Sequence, residues 1–311
     1  MLLWSMSFGI SAEVLQTASP AMLSVGRFMI GLLVLVPLAA RRPGFTRTLR
    51  RPRTIILGLL GAALYYSLTN VGLVFTSAGT AALSNAALPA FTALLGLLVL
   101  RERLAVRTIV GLGRATVGVI IVAGSGLSVD IGVILCLVGL ACYALYTVLL
   151  RKDSITASAS PPSWGRGATA GRHTSWRVEP LVLATATAIW GTAIMLPWLG
   201  FEAVTGTSSL PSGWVGLGGL PFLGVVITAP TLVLFNYGAE RLPAAITGVL
   251  TAAIPALGYL FALLLGEQPD TFTALGGAIA LVGVVIASFA PPGSMLPPPD
   301  DLVGGGTHRG R

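Results

Sequence analysis

Charge is what this chain has least of. Of its 311 residues only 10% are charged, where a soluble globular domain carries about 25%. Together with 54% hydrophobic residues and a mean hydropathy of +0.87, this excludes water as the main solvent. Histidine is almost missing. His173 and His308 both lie in polar segments, so the apolar stretches have no imidazole for a metal centre or for general-base chemistry. No HExxH, GxSxG or Walker motif occurs, which removes the usual hydrolases and any ATP-driven pump. The two cysteines, Cys136 and Cys142, stand six apart inside one apolar run. They form neither a CxxC motif nor a disulfide framework, and read as packing residues. Met1 to Phe8 holds no Lys or Arg, so the start lacks the basic region of a signal peptide.

What is present is a series of long uncharged runs. About 20 apolar residues at ~1.5 Å rise each cross a ~30 Å hydrocarbon core. Cutting the runs at charges, Gly-rich breaks and polar breaks predicts spans near 2–16, 20–40, 54–75, 78–100, 106–126, 131–150, 180–199, 214–238, 243–265 and 271–290. The predicted fold class is therefore an all-α membrane protein with ten transmembrane helices. The first span is the weakest, because it begins at the initiator and carries Glu13.

Orientation follows from the basic residues, which collect in short cytoplasmic loops. With both termini cytoplasmic, one side receives Arg41, Arg42, Arg47, Arg50, Arg51 and Arg53. The same side receives Arg101, Arg103 and Arg107, the cluster from Arg151 to Arg177, Arg241, and Arg309 with Arg311. The opposite loops receive none, and only Arg27 and Arg114 fall within spans. Topology and contact with anionic membrane lipids account for the net charge of +8, with no nucleic-acid surface implied. The expected location is the inner (plasma) membrane, multi-pass.

The chain also repeats itself. A shift of 166 residues lays Asn70 on Asn236, Gly72 on Gly238 and Pro89 on Pro255. A shift of 165 lays Glu102 on Glu267, Gly111 on Gly276 and Gly118 on Gly283. The first spans align more loosely, Trp4-Ser5-Met6-Ser7 against Tyr143-Ala144-Leu145-Tyr146. Residues 1–127 and 128–290 are thus expected to be two five-helix units, and an odd number of crossings makes them inverted repeats. Residues 151–178, rich in Ser, Gly, Pro and Arg, are expected to form a flexible cytoplasmic linker, and 291–311 a disordered cytoplasmic tail.

The stretch GLVFTSAGTAALSNAALPAFTALLGLLVLRERLAVRTIVGLGRATVGVIIVAG, Gly72 to Gly124, resembles the signature of the drug/metabolite transporter superfamily, in its EamA-like branch. The second copy from Asn236 to Ser288 is similar to it, as are the Trp4 start and the Pro20 to Arg27 stretch. The resemblance implies a ten-helix secondary transporter that exports or exchanges a small metabolite, such as an amino acid, nucleobase or drug-like compound, by alternating access through a central cavity. A channel-like facilitative pore and, further off, an intramembrane enzyme are the alternatives. No cofactor or metal is implied, the expected transport unit is a monomer, and a coupling ion such as a proton remains open. Ser5, Tyr143 and Arg114 depart from the residues common in the family.

Proline inside a helix frees the carbonyl four residues earlier. Pro89 and Pro255 lie near mid-span, so the carbonyls of Asn85 and Thr251 are expected to be free close to the bilayer centre. They line either the substrate path or a packed kink. Tyr66, Tyr143 and Tyr146 are candidate cavity walls, ahead of Trp4 near the cytoplasmic end. Asn70 and Asn236 read as interhelical hydrogen-bonding residues. Glu13 and Arg27 are expected to pair across spans one and two, or else to contact substrate or couple protons. Glu102 and Glu267 read as structural acids at the start of the helices that follow them.

Overall fold

The computed structural model describes residues 2–100, 106–123, 130–159, 178–241 and 244–288. Every regular element among them is helical. The helices are α1 (Leu2–Leu15), α2 (Pro20–Ala40), a short α3 (Phe45–Leu49), α4 (Pro52–Phe75), α5 (Ala78–Leu100), α6 (Val106–Ala123), α7 (Ile131–Ala159), α8 (Pro180–Val204), α9 (Gly213–Gly238, running on to Arg241), α10 (Ala244–Leu264) and α11 (Thr271–Ser288). Six of them are long and apolar enough to cross a membrane: α2, α4, α5, α7 as far as Asp153, α8 and α9. Leu2–Leu15, Ile254–Leu264 and Thr271–Ala287 are apolar but shorter. Helix α7 continues to Ala159, so the first nine residues of the expected linker are helical rather than flexible. The rest of that linker up to 177, and the tail, lie outside the described residues.

Local chemistry sets the helix starts. Ser19 accepts from the Met22 amide at 3.4 Å with Pro20 at the first helical position of α2. Pro52 and Pro180 open α4 and α8 in the same way, where their missing N–H costs nothing. Ser77 caps α5 through the Thr80 amide at 3.1 Å, and Asp130 caps α7 through the Gly132 amide at 2.8 Å.

Two helices are not regular α throughout. Leu59–Leu64 in α4 and Phe222–Thr228 in α9 are π-helical. Each wide turn admits an extra residue and turns the next one to a new face. Tyr65 and Tyr66 follow the first directly, and Thr228 ends the second.

Loops gather at two ends. Ser19 N–H donates to Ser209 O at 3.1 Å, joining the start of α2 to the segment after α8. Thr76, Asp130 and Glu267 meet at that same end, since α2 runs away from it and α4 runs toward it. At the opposite end Arg42 meets Glu179 at 3.5 Å, and Arg53 Nε and Nη2 bond the two oxygens of Asp153 at 3.1 and 3.0 Å.

Helices α6 and α11 pack with almost no side chain between them. A Cβ on Gly111 would stand 2.6 Å from Gly283 O, and one on Gly276 would stand 2.8 Å from Gly118 O. Such backbone approach is how membrane helices gain dispersion contact without a hydrophobic driving force. Outward faces carry exposed apolar residues such as Leu33, Leu98, Ile120, Leu217 and Phe272, as a lipid-facing surface requires.

Candidate functional site

Arg27 sits in the middle of the bundle, 2% exposed. A charged residue at membrane depth costs ~2.5–3.5 kcal/mol or more, so it persists only with partners or a function. Its partners are hydroxyls. Nε donates to Thr228 Oγ1 at 3.0 Å, Nη1 to Ser11 Oγ at 3.3 Å and Nη2 to Ser7 Oγ at 2.9 Å. Its carbon Cζ lies 4.8 Å from the Tyr66 ring centroid, a cation–π contact. Arg27 makes no ion pair among the described residues. Glu13 accepts from its own neighbour, Gln16 Nε2, at 3.1 Å. The expected Glu13–Arg27 pair is therefore absent, because α1 turns Ser7 and Ser11, and not Glu13, toward α2.

Aromatic rings surround the guanidinium. Tyr66 packs edge-on against Phe28 and Tyr65, with centroids 4.8 and 4.9 Å apart. Trp4 contacts Tyr65, Tyr143 and Phe235 at 6.3, 5.2 and 5.6 Å. Tyr143 stands 4.8 Å from Tyr65 and 5.4 Å from Tyr146. The three candidate tyrosines do come together, and Trp4 joins them at the centre rather than marking a cytoplasmic end.

A cavity of about 10 Å³ remains inside this cluster, room for roughly one water. Its lining includes Trp4, Ser7, Ser11, Arg27, Tyr66 and Thr69. Asn70 donates to Ser24 Oγ on α2 at 2.8 Å, while the hydroxyl of Thr69 is buried without a partner among the described residues. Asn236 accepts from the Tyr146 hydroxyl on α7 at 3.3 Å, and its Nδ2 is buried without a partner among the described residues.

The proline positions behave differently from expectation. The helix tightens to a 3₁₀ turn at Asn85–Ala87, and the Leu88 N–H bonds the Asn85 carbonyl that Pro89 would have freed. The Asn85 side chain donates to Ala81 O at 3.1 Å. Asn85 and Pro89 therefore form a locally satisfied bend, and neither lines the central cavity. Pro255 is buried within α10, and the Thr251 side chain lies outside the described residues.

A larger pocket of ≈ 490 Å³ opens at the end where α4 meets α5. Thr76, Asp130, Tyr259, Glu267, Asp270 and Thr273 are among its lining residues. Glu267 departs from expectation. Its carboxylate accepts from Ser77 Oγ and from the Gly79 amide at 2.9 Å, so it caps α5 in space, and Asp270 caps the helix that follows, through the Thr273 amide at 2.7 Å. That bond holds the Asp270 carboxyl below its ordinary range. Gly266, at φ 98°, supplies the left-handed turn that aims Glu267 back across the pocket. Glu102 lies outside the described residues. Leu73 on the central cavity and Thr76 on the open pocket are one turn of α4 apart.

Sequence reasoning missed Ser7, Ser11, Thr228, Tyr65 and Phe235. Ser7 and Ser11 carried a signal, a four-residue spacing on the helix beside Arg27. Thr228 carried none, since it arrives from 201 residues away through a π turn.

Apolar helices long enough to cross a membrane, packed around a buried polar centre, define a multi-span membrane protein. The chain belongs to the EamA-like transporter family, whose model matches residues 1–124 and 154–289. It is 24% identical over 288 residues to an uncharacterized transporter of Archaeoglobus fulgidus, covering 91% of this chain and 94% of that one. It is 27% identical over 293 residues to a probable terminal-alkyne amino-acid exporter of Streptantibioticus cattleyicolor, covering 91% and 89%. A solved crystal structure superposes with a TM-score of 0.62 at 19% identity, over 92% of this chain and 93% of its own, a likeness of fold.

Proposed function

We propose that this protein exports a small organic metabolite across the plasma membrane by alternating access, through the cavity around Arg27, Trp4, Tyr66, Tyr143 and Tyr146. The observation that carries this reading is a small cavity at the buried Arg27, walled by polar and aromatic residues of α1, α2 and α4 and separated by one helical turn from an open pocket at one end. The opposite end is held shut by Arg53–Asp153, Arg42–Glu179 and the Trp190 indole bonding Leu49 O at 2.8 Å. Under this reading the conformation corresponds to a carrier occluded at its centre and closed at the Arg-rich end.

The reading includes ten spans in two inverted five-helix units, with both termini cytoplasmic. Supporting it, Gly111 lies against Gly283 and Gly118 against Gly276, and these are the residues that the repeat makes equivalent. A two-fold axis between the units turns each of those contacts into the other. The π turns in α4 and α9, helices equivalent in the repeat, support it as well. Pro255 and Thr251 keep the place in the second unit that Pro89 and Asn85 hold in the first. The transport unit is one chain, coupled to a proton or to the substrate's own gradient.

An untargeted comparison of medium from overexpressing and deletion cells tests the reading. Export predicts compounds that accumulate outside in the first and inside in the second. Single-channel conductance in reconstituted bilayers would overturn the carrier mechanism.

A further inference from the structure

We propose that the exported compound is a monoanionic carboxylate, and that Arg27 is the residue that binds the carboxylate group. This deepens the exporter reading and rests on it. A guanidinium presents five N–H donors, and three of Arg27's are bonded to hydroxyls. One N–H on each of Nη1 and Nη2 is left without an acceptor among the described residues. Two such donors form the fork that takes a carboxylate in bidentate fashion. The charge itself has no counter-ion among the described residues, although Arg27 is buried. A buried cation held only by neutral hydroxyls and a ring is costly until an anion arrives.

The surroundings fit the same ligand. The Thr69 hydroxyl is buried, has no partner among the described residues and lies on the same cavity wall as Arg27. Ser7 and Ser11 accept from the guanidinium, so their own hydroxyl protons remain available as donors to an anion. Trp4, Phe8, Tyr65 and Leu73 form the apolar part of the lining and suit a hydrocarbon or aromatic remainder. No acidic residue lines this cavity. One cation matches one negative charge, which favours a carboxylate over a phosphate dianion.

The open pocket supplies the release step. Asp130, Glu267 and Asp270 line it, with no Lys or Arg among its described lining residues. A carboxylate that leaves the centre on this side meets like charge and is driven onward rather than held.

The test is the efflux comparison carried out with wild type, Arg27→Gln and Arg27→Lys at matched membrane levels. Expected are carboxylic acids as the enriched class, at least a tenfold loss of their enrichment in Arg27→Gln, and partial return in Arg27→Lys, which keeps the charge and loses the fork. Arg27→Lys also reports on folding, because a level and Tm equal to wild type show that the position tolerates substitution. Enriched compounds that are neutral, cationic or phosphorylated overturn the assignment. So do carboxylates whose efflux is unchanged in Arg27→Gln. If wild type enriches nothing, the exporter reading itself fails, and this inference falls with it.

Discussion

At the centre of the bundle one guanidinium sits among hydroxyls and rings with no carboxylate beside it. At the end where α4 meets α5, three carboxylates line an open pocket with no Lys or Arg among its described lining residues. The two regions use their polar groups in opposite ways. Glu267 and Asp270 are occupied with helix starts: one accepts from the Gly79 amide and the other from the Thr273 amide. Their charge offsets the positive end of a helix dipole, and no ligand is needed to complete them. Arg27 links α2 to α1, α4 and α9 through hydroxyls and a ring, and its charge meets no carboxylate among the described residues. The difference separates charge that holds the structure from charge that waits for a partner.

The strongest way to break that comparison is Arg27→Met. Two charge-assisted bonds to substrate, together worth about 3 kcal/mol, correspond to a loss of about 100-fold in efflux. Removing an uncompensated buried charge should leave thermal stability equal to wild type or raise it, as is common when a binding residue is replaced by an apolar one. A fall in both efflux and Tm would return Arg27 to a structural role. Tyr66→Leu is the next in size. It deletes the cation–π contact at 4.8 Å and should raise the half-saturating substrate concentration about 2- to 30-fold, since such contacts are worth ~0.5–2 kcal/mol. Its check is transport kinetics in proteoliposomes.

Glu267→Ala should do the reverse of Arg27→Met. Losing the cap on α5 costs about 1 kcal/mol, visible as a lower Tm, while the set of exported compounds stays the same. A changed set would make Glu267 part of the substrate path. The smallest effect concerns Asp270. Its bond from the Thr273 amide holds the folded-state carboxyl below its ordinary range. The ionised group therefore contributes stability above the unfolded-state pKa, and that contribution is lost as pH falls through the lower folded value. Asp270→Asn should flatten the acid limb of stability against pH and leave neutral-pH transport untouched, measured by thermal unfolding between neutral and strongly acidic buffers.

The all-helical, apolar character of the chain was legible in the sequence because it depends on composition along the chain. The helix starts at Pro20 and Pro180 coincide with the starts of predicted spans, and proline at a helix start acts locally. The site was legible in its residue types and less so in its pairings. Arg27 and the tyrosines could be picked out as polar or aromatic groups in apolar runs. The choice of Ser7 and Ser11 over Glu13 depends on the rotation of α1, to which a chain-wise reading has no access. Asn85 misled for a physical reason: a 3₁₀ turn can recapture a carbonyl that proline frees, and nothing in the letters announces that turn. Glu267 misled because sequence proximity suggested the next helix, while Gly266 turns it toward a helix nearly two hundred residues earlier.

The wide turn at Leu59–Leu64 gives the chain length itself a meaning. A π turn is an α-helix carrying one surplus residue, and each residue of an α-helix advances about 100°. Deleting a single residue there would let α4 close into a regular helix with Tyr65 and Tyr66 still on the face they now occupy, because the wide turn covers with one residue more about the same rotation as an α turn. A one-letter gap at this point in a relative would thus be compatible with the same binding site, whereas the same letters in an unbroken α-helix would turn both rings about 100° away from Arg27.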